Sequence, residues 1–130
     1  MNLAAVTEAY WDRKAEHGAV DLNRAVGEAD PCINRCIDRA QGRLLNRAIR
    51  AIAADLGHRG RAVLDFGSGV GRWVPVLTRY FPEYHGKDIS SSMVRLAREQ
   101  YPEQRFSKQN GMTLQLDDES VDFITSIAVL

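Results

Sequence analysis

The segment Val63-Leu64-Asp65-Phe66-Gly67-Ser68-Gly69-Val70-Gly71-Arg72 constrains this chain more than any other. Ala62 to Phe66 is a short apolar run of the kind buried in a parallel sheet, and glycines at every second position follow it. Glycine carries no Cβ, so such a stretch turns sharply and lets the backbone approach a ligand closely. The helix expected after it begins with N–H groups that have no intrahelical partner. About twenty residues further on, Asp88 closes a second strand candidate, Tyr84 to Asp88, where a carboxylate is placed to accept two hydrogen bonds from a ribose diol. The blander alternative is a tight turn without a ligand and a carboxylate that only caps a helix; two motifs in register favour binding.

The flanking pattern places this loop in an α/β chain. One helix is expected over residues 3–16, and Asp30-Pro31 starts another, with proline in its first turn. Leu45, Ile49, Ile52 and Leu56 recur on one face of a helix over about 41–56, ended by Gly57 and a polar connection, His58 to Arg61. After the loop, a helix is expected from Trp73 to Tyr80, with Pro75 tolerated only near its start. Ser90 or Ser91 caps a helix over 92–100 that turns Met93, Leu96 and Ala97 toward a sheet. A weak strand follows at Gln104 to Ser107. A strong one, Val121 to Leu130, comes after the acidic turn Asp117-Asp118-Glu119. Strands alternating with helices at these intervals give a mostly parallel sheet of about four strands with right-handed crossovers. The chain divides into a helical N-terminal cover, 1–60, and an α/β core, 61–130. The last apolar strand lacks a second neighbour within the sequence, so the chain reads as a fragment or as a subunit whose sheet edge a homo-oligomer or partner chain covers.

Composition narrows the classes. A length of 130 residues suits one domain, and 45% hydrophobic with 26% charged residues lies outside the disordered regime. Seventeen basic residues balance seventeen acidic ones, which leaves no net field to draw the chain to nucleic acid or to an anionic membrane. No apolar run approaches the roughly 18 residues of a membrane span, and the N-terminus meets charge before it builds a signal core. A cytoplasmic protein is the default expectation. Cys32 and Cys36 are too few for a disulfide framework or, without further ligands, a zinc site; they read as small buried residues. Arg35, Arg39, Arg43 and Arg47 make one basic stripe, read as a solvated face. Asp122 reads as a strand-start carboxylate that caps backbone, and His85 as structural.

The loop's details discriminate between cofactors. After Gly67 and Gly69 the dinucleotide fingerprint requires a third glycine where Arg72 stands, with the glycine one residue early at Gly71, so an NAD-dependent oxidoreductase is disfavoured. The Gly-Lys-Ser/Thr of a phosphate-binding loop is absent. Asp65 is a poor neighbour for a pyrophosphate and a good one for an ammonium or sulfonium charge.

Residues 62–130 resemble the class I S-adenosylmethionine-dependent methyltransferases, particularly their small-molecule branch. The resemblance implies a Rossmann-like fold, here incomplete, with a helical N-terminal extension that lids the cofactor. It implies that Gly67, Ser68, Gly69 and Gly71 wrap the methionine moiety, with Asp65 near its ammonium group. Gly86-Lys87-Asp88-Ile89-Ser90 resembles the ribose-binding strand end, with Asp88 on the two hydroxyls and Ile89 and Met93 in apolar contact with the adenine. Asn110 falls where the family places an acid facing the adenine amino group; Asn accepts that N–H through its oxygen but without charge assistance. The implied activity is methyl transfer to a small-molecule acceptor, and the implied cofactor is S-adenosylmethionine. No catalytic base and no metal ligand are assigned, and Tyr10 and His17 in the lid region read as ordinary surface or packing residues before acceptor-site ones. The alternative is a non-catalytic cofactor-binding or interaction module that needs a partner chain.

Overall fold

Four short strands, β1 (Ala62–Phe66), β2 (Glu83–Asp88), β3 (Arg105–Lys108) and β4 (Phe123–Thr125), form one parallel sheet in the order β3-β2-β1-β4. The structure is a computed structural model that describes residues 2–17, 30–57, 60–110 and 113–127. Helices α1 (Leu3–His17) and α2 (Pro31–Leu56) precede the sheet, α3 (Val74–Leu77) joins β1 to β2, and α4 (Ser91–Gln100) joins β2 to β3. The mostly parallel, incomplete Rossmann-like α/β architecture with a helical N-terminal extension is therefore observed. β1 is central: Val63 stands opposite Tyr84 on one side and Phe123 on the other. The chain reverses its direction of growth across β1, which opens a crevice beyond the carboxyl ends of its strands.

One hydrophobic core joins the sheet to α2, α3 and α4. Leu45 and Ile49 of α2, Val63 of β1, Trp73, Leu77 and Phe81 around α3, Tyr84 of β2, Ala97 of α4 and Phe106 of β3 all belong to it. Phe81 stacks on Phe123 at 5.5 Å between ring centroids, which ties β4 to the same core. Asp122 closes the base of the sheet: its Oδ2 accepts from the amides of Arg61 and Ala62 at 2.7 and 2.8 Å, and its own amide donates to Ala62 O. The carboxylate thus caps backbone, as its position at a strand start suggests.

Local chemistry explains where the elements differ from the sequence pattern. The two helix starts expected at Pro31 and about 41 merge into one 26-residue helix, α2. Asp30 Oδ1 accepts from the Cys32 amide at 2.6 Å, Pro31 fills the first turn, the helix carries Gly42 through its middle, and no second proline interrupts before Gly57 takes a left-handed φ of 66° and ends it. The inward face of α2 runs through Asn34, Asp38, Gly42, Leu45 and Ile49; Asp38 pairs with Arg72, Gly42 lies against the Trp73 ring, and Leu45 and Ile49 share the core with Trp73. Cys32 and Cys36 fall off that face and are exposed rather than buried. Ile52, expected inside, lies a turn beyond the core and is exposed.

The helix expected over 73–80 shrinks to the four residues of α3. Pro75 removes a donor near its start, and the Thr78 hydroxyl donates back to Val74 O at 2.7 Å. The amides of Arg79 and Tyr80 then bond three residues back, to Val76 O and Leu77 O, so the chain continues as tight turns. β4 is likewise shorter than the expected Val121 to Leu130, because its ladder with β1 stops at Asp65 opposite Thr125, just before β1 bends away into the glycine loop. Residues 128–130 of that expected strand lie outside the described residues.

Gly86 shows how tightly β2 and β3 meet. A Cβ there would fall 2.5 Å from the Phe106 ring and 2.8 Å from Ser68 Oγ. Gly86→Ala should therefore cost about 1–3 kcal/mol as an overpacked core position. A lower urea midpoint with an unchanged denaturant slope is the expected result.

Candidate functional site

The site forms where β1 and β2 end side by side. Beyond Phe66 the chain passes through Gly67, Gly69 and Gly71, whose φ values are 74°, 53° and 85°, all in the region that L side chains avoid. The glycines serve different ends. A Cβ on Gly71 would approach the Tyr101 ring to 2.9 Å, so packing requires its absence. A Cβ on Gly69 would meet no described residue within 4 Å, so among the described residues that glycine faces open space. Asp88 holds the loop in place: its Oδ2 accepts from the Gly69 amide at 2.8 Å and its Oδ1 from the Ser90 amide at 2.9 Å. The loop, the end of β2 and the start of α4 therefore converge on one carboxylate.

The loop's amides are largely spent within the protein. Gly67 and Ser68 both donate to Lys87 O, at 2.7 and 3.1 Å, Gly69 donates to Asp88, and Gly71 donates to Ser68 O at 2.9 Å. A pyrophosphate needs such donors turned outward at the start of a helix, and the four residues of α3 make no sustained one. Arg72, the cation nearest the loop, is engaged as well: it pairs with Asp38, donates to Gln41 Oε1 at 2.6 Å and lies over the Trp73 ring at 4.4 Å. These contacts strap α2 to the loop.

Two buried carboxylates give the site an acceptor character. Asp65 is 1% exposed and accepts from the Tyr84 hydroxyl at 2.8 Å. Burial pushes its carboxyl up to about 7, with the neighbouring charge of Asp88 acting in the same direction. Burial, followed by the Asp65 charge, keeps the Tyr84 phenol protonated and thus a donor. Asp88 is also raised, mainly by burial, against the lowering effect of its backbone donors. Oδ2 takes the Gly69 amide and Oδ1 the Ser90 amide, the Ile89 amide also favours the ionised form, and the two oxygens retain further acceptor capacity for hydroxyl donors. Asp65, sealed beneath the loop, acts on a ligand through its field rather than by contact, and a positive charge above it favours its ionised form.

The remaining predicted positions gather unevenly. Ile89 is half-buried next to Asp88, and Met93 is buried on α4, with its amide donating to Ser90 Oγ at 3.0 Å. The amide of Gln109 donates to Asp88 O at 2.7 Å, so exposed Asn110 follows directly from the ladder between β2 and β3. Ser68 is buried with its hydroxyl against Gly86. His85 lies apart and bonds Ser107 Oγ at 3.0 Å, its pKa lowered mainly by burial. Tyr10 is exposed, edge-on to Trp11 at 5.2 Å; the side chain of His17 lies outside the described residues. Sequence reasoning missed Asp12, Tyr84 and Lys87. Lys87 is buried and donates to Gln115 O at 2.6 Å. All three act across distant sequence with no local spacing; only a tyrosine two positions ahead of Gly86, on the same strand face as Asp88, was a readable signal.

Parallel strands in this order, with a glycine loop after β1 held by a carboxylate that closes β2, make a Rossmann-like cofactor-binding fold. A methyltransferase-domain family matches residues 64–130, and the chain belongs to that family. Among solved structures, CalS10 from Micromonospora echinaspora, an amino pentose methyltransferase with SAM bound, matches over 94% of this chain and 41% of its own, at 20% identity and a TM-score of 0.57. The sugar N-methyltransferase KedS8 from Streptoalloteichus sp. matches over 69% of this chain and 34% of its own, at 19% identity and a TM-score of 0.58. DesVI from Streptomyces venezuelae matches over 69% and 36%, at 18% identity and a TM-score of 0.57. These similarities show the fold, and the chain spans only 34% to 41% of the three structures' lengths. A search of curated proteins found no match.

Asp65 gives the site a pH signature. Its folded-state carboxyl holds a proton up to about 7, whereas the unfolded chain releases it near 3.8. Its contribution to stability is therefore complete below about pH 4 and is lost as pH rises through about 7. Asp65→Asn should make the fall in urea midpoint between about pH 4 and about pH 8 shallower than in the wild type; an equal fall in both proteins would contradict this assignment.

Proposed function

We propose that the chain binds S-adenosylmethionine across the glycine loop and the end of β2, as the cofactor-holding part of a methyltransferase for a small-molecule acceptor. The observation that carries the reading is the convergence of the Gly69 amide and the β2 end on Asp88. The residues present suit this cofactor. Open space at Gly69 admits a ligand to the backbone, Asp88 keeps acceptor capacity for a diol, and Asp65 supplies a negative field for an ammonium or sulfonium charge. The consumed loop amides argue against a pyrophosphate.

When bound, S-adenosylmethionine supplies a sulfonium methyl group to a nucleophile. The chain's own part is to hold and orient. Gly67, Ser68, Gly69 and Gly71 would border the methionine moiety, Asp88 would hold the ribose hydroxyls, and Ile89 and Met93 would offer apolar contact to the base. Asn110 would accept from the adenine amino group through its side-chain oxygen. No general base is assigned to the described residues, and alignment of donor and acceptor suffices for a nucleophile that need not lose a proton. A small-molecule acceptor is favoured over nucleic acid by the balance of seventeen basic and seventeen acidic residues.

A second reading, a cofactor-binding module whose sheet is completed by a homo-oligomer or another chain, is favoured by β4. It is the edge strand of the described sheet, and Ile124 is 53% exposed there.

Calorimetric titration with S-adenosylmethionine tests the primary reading. Wild type should show saturable binding. Asp88→Ala, which removes a charged acceptor, should weaken it by about tenfold to a hundredfold. A folded wild-type chain that takes up no cofactor would overturn the proposal.

A further inference from the structure

The N-terminal helix reaches the candidate site by a route that the fold does not require. Asp12 of α1 accepts from the Ser90 hydroxyl at 2.5 Å and from the Ser92 amide at 3.1 Å, through the same oxygen. Ser90 is fully buried and has three linked tasks. Its hydroxyl donates to Asp12, its Oγ accepts from the Met93 amide to cap α4, and its own amide donates to Asp88 Oδ1. Asp88 in turn holds Gly69. Asp12, Ser90, Asp88 and Gly69 thus form one continuous hydrogen-bonded path from α1 to the glycine loop, although Asp12 and Ser90 are 78 positions apart.

A second tie arrives from the other side. Glu8, one turn before Asp12, pairs with Lys108, which stands opposite Asp88 in the ladder between β2 and β3. These two polar attachments of α1 fall on immediate neighbours of the same carboxylate. Of its apolar residues, Leu3, Val6 and Tyr10 are exposed and Trp11 is half-buried, and none of the described α1 residues belongs to the hydrophobic core. The Glu8–Lys108 pair is partly exposed, and an exposed ion pair holds a helix only weakly. The attachment of α1 can therefore respond to what occupies the site.

We infer that Asp12 is a positioning residue: docking of α1 through Asp12 orients Ser90 and so presets Asp88 and the glycine loop, and occupation of the cofactor site in turn tightens α1. The coupling is reciprocal by thermodynamic necessity. This inference rests on the cofactor reading above, and it adds an effect of the N-terminal helix on affinity that acts through Ser90 and Asp88.

Calorimetry with S-adenosylhomocysteine and hydrogen exchange, on the full chain, test it together. Asp12→Ala should weaken binding about tenfold, the size of a moderate coupling energy, whereas Asp12→Asn, which keeps an acceptor oxygen, should restore most of the affinity. The α1 amides should exchange more slowly when ligand is added to wild type, and should not respond when Asp12→Ala is saturated with ligand. A purely structural role for Asp12 would alter basal exchange and leave the ligand response intact, which would overturn the inference. Wild-type affinity in Asp12→Ala would overturn it too, with the cofactor reading untouched. Absence of binding by wild type would remove the cofactor reading and the inference with it.

Discussion

The carboxylate of Asp88 fixes two connections at once. Through Gly69 it sets the height of the loop after β1, and through Ser90 it sets the start of the helix after β2. Both oxygens take N–H groups that would otherwise be left without partners at chain reversals, where sheet and helix bonding are both interrupted. Neutralisation or loss of this one group would free the loop and α4 together. Its burial raises its pKa, and its backbone donors counter that rise. The group that best suits ligand hydroxyls is therefore also the one that the fold itself depends on.

Around that carboxylate, small residues and rings fit as a set. The Phe106 ring occupies the space that side chains at Gly86 and Gly71 would otherwise take, and it tilts against Tyr84 at 5.5 Å. Tyr84 then turns its hydroxyl to Asp65. A single aromatic side chain of β3 thereby sets how closely the loop, β2 and the buried acid approach one another. On the opposite side of the loop, Arg72 bonds to Gln41 and Asp38 of α2, and Tyr80 donates to Asn46 of the same helix at 2.8 Å. The long helix is thus registered on the core by polar contacts at two levels and by Leu45 and Ile49 beside them.

The parts of this arrangement that were legible in the sequence are those whose causes are local. β1, β2, the glycine loop and the Ser90 cap each follow from a few adjacent residues with strong backbone preferences. Extents were less legible. The single course of α2 depended on the absence of a second proline between Pro31 and Gly57 and on packing that carries Gly42 within the helix, the brevity of α3 on a hydroxyl that competes for a helix carbonyl, and the brevity of β4 on where its neighbour bends away. Burial was read wrongly for Cys32, Cys36 and Ile52 because a helical period identifies a face, whereas the facing partner decides how far along the helix that face is covered. The link from Asp12 to Ser90 had no sequence signature at all: an aspartate in a helix and a serine at a cap are each common, and only the fold brings them together.

The closure at Asp122 bears on how the sheet is assembled. Arg61 meets Glu83 across 22 positions, but the carboxylate that caps the start of β1 comes from 61 positions downstream. As the chain emerges from the ribosome, β1, β2 and β3 can pair while β4 is still unmade, which leaves one flank of the most apolar strand open at the moment when free edges are most prone to mispairing. The bond from Asp122 to the β1 amides is then a late event that seals this flank. Slow synthesis through the acidic turn at Asp117 to Glu119 would prolong that exposure of the β1 flank.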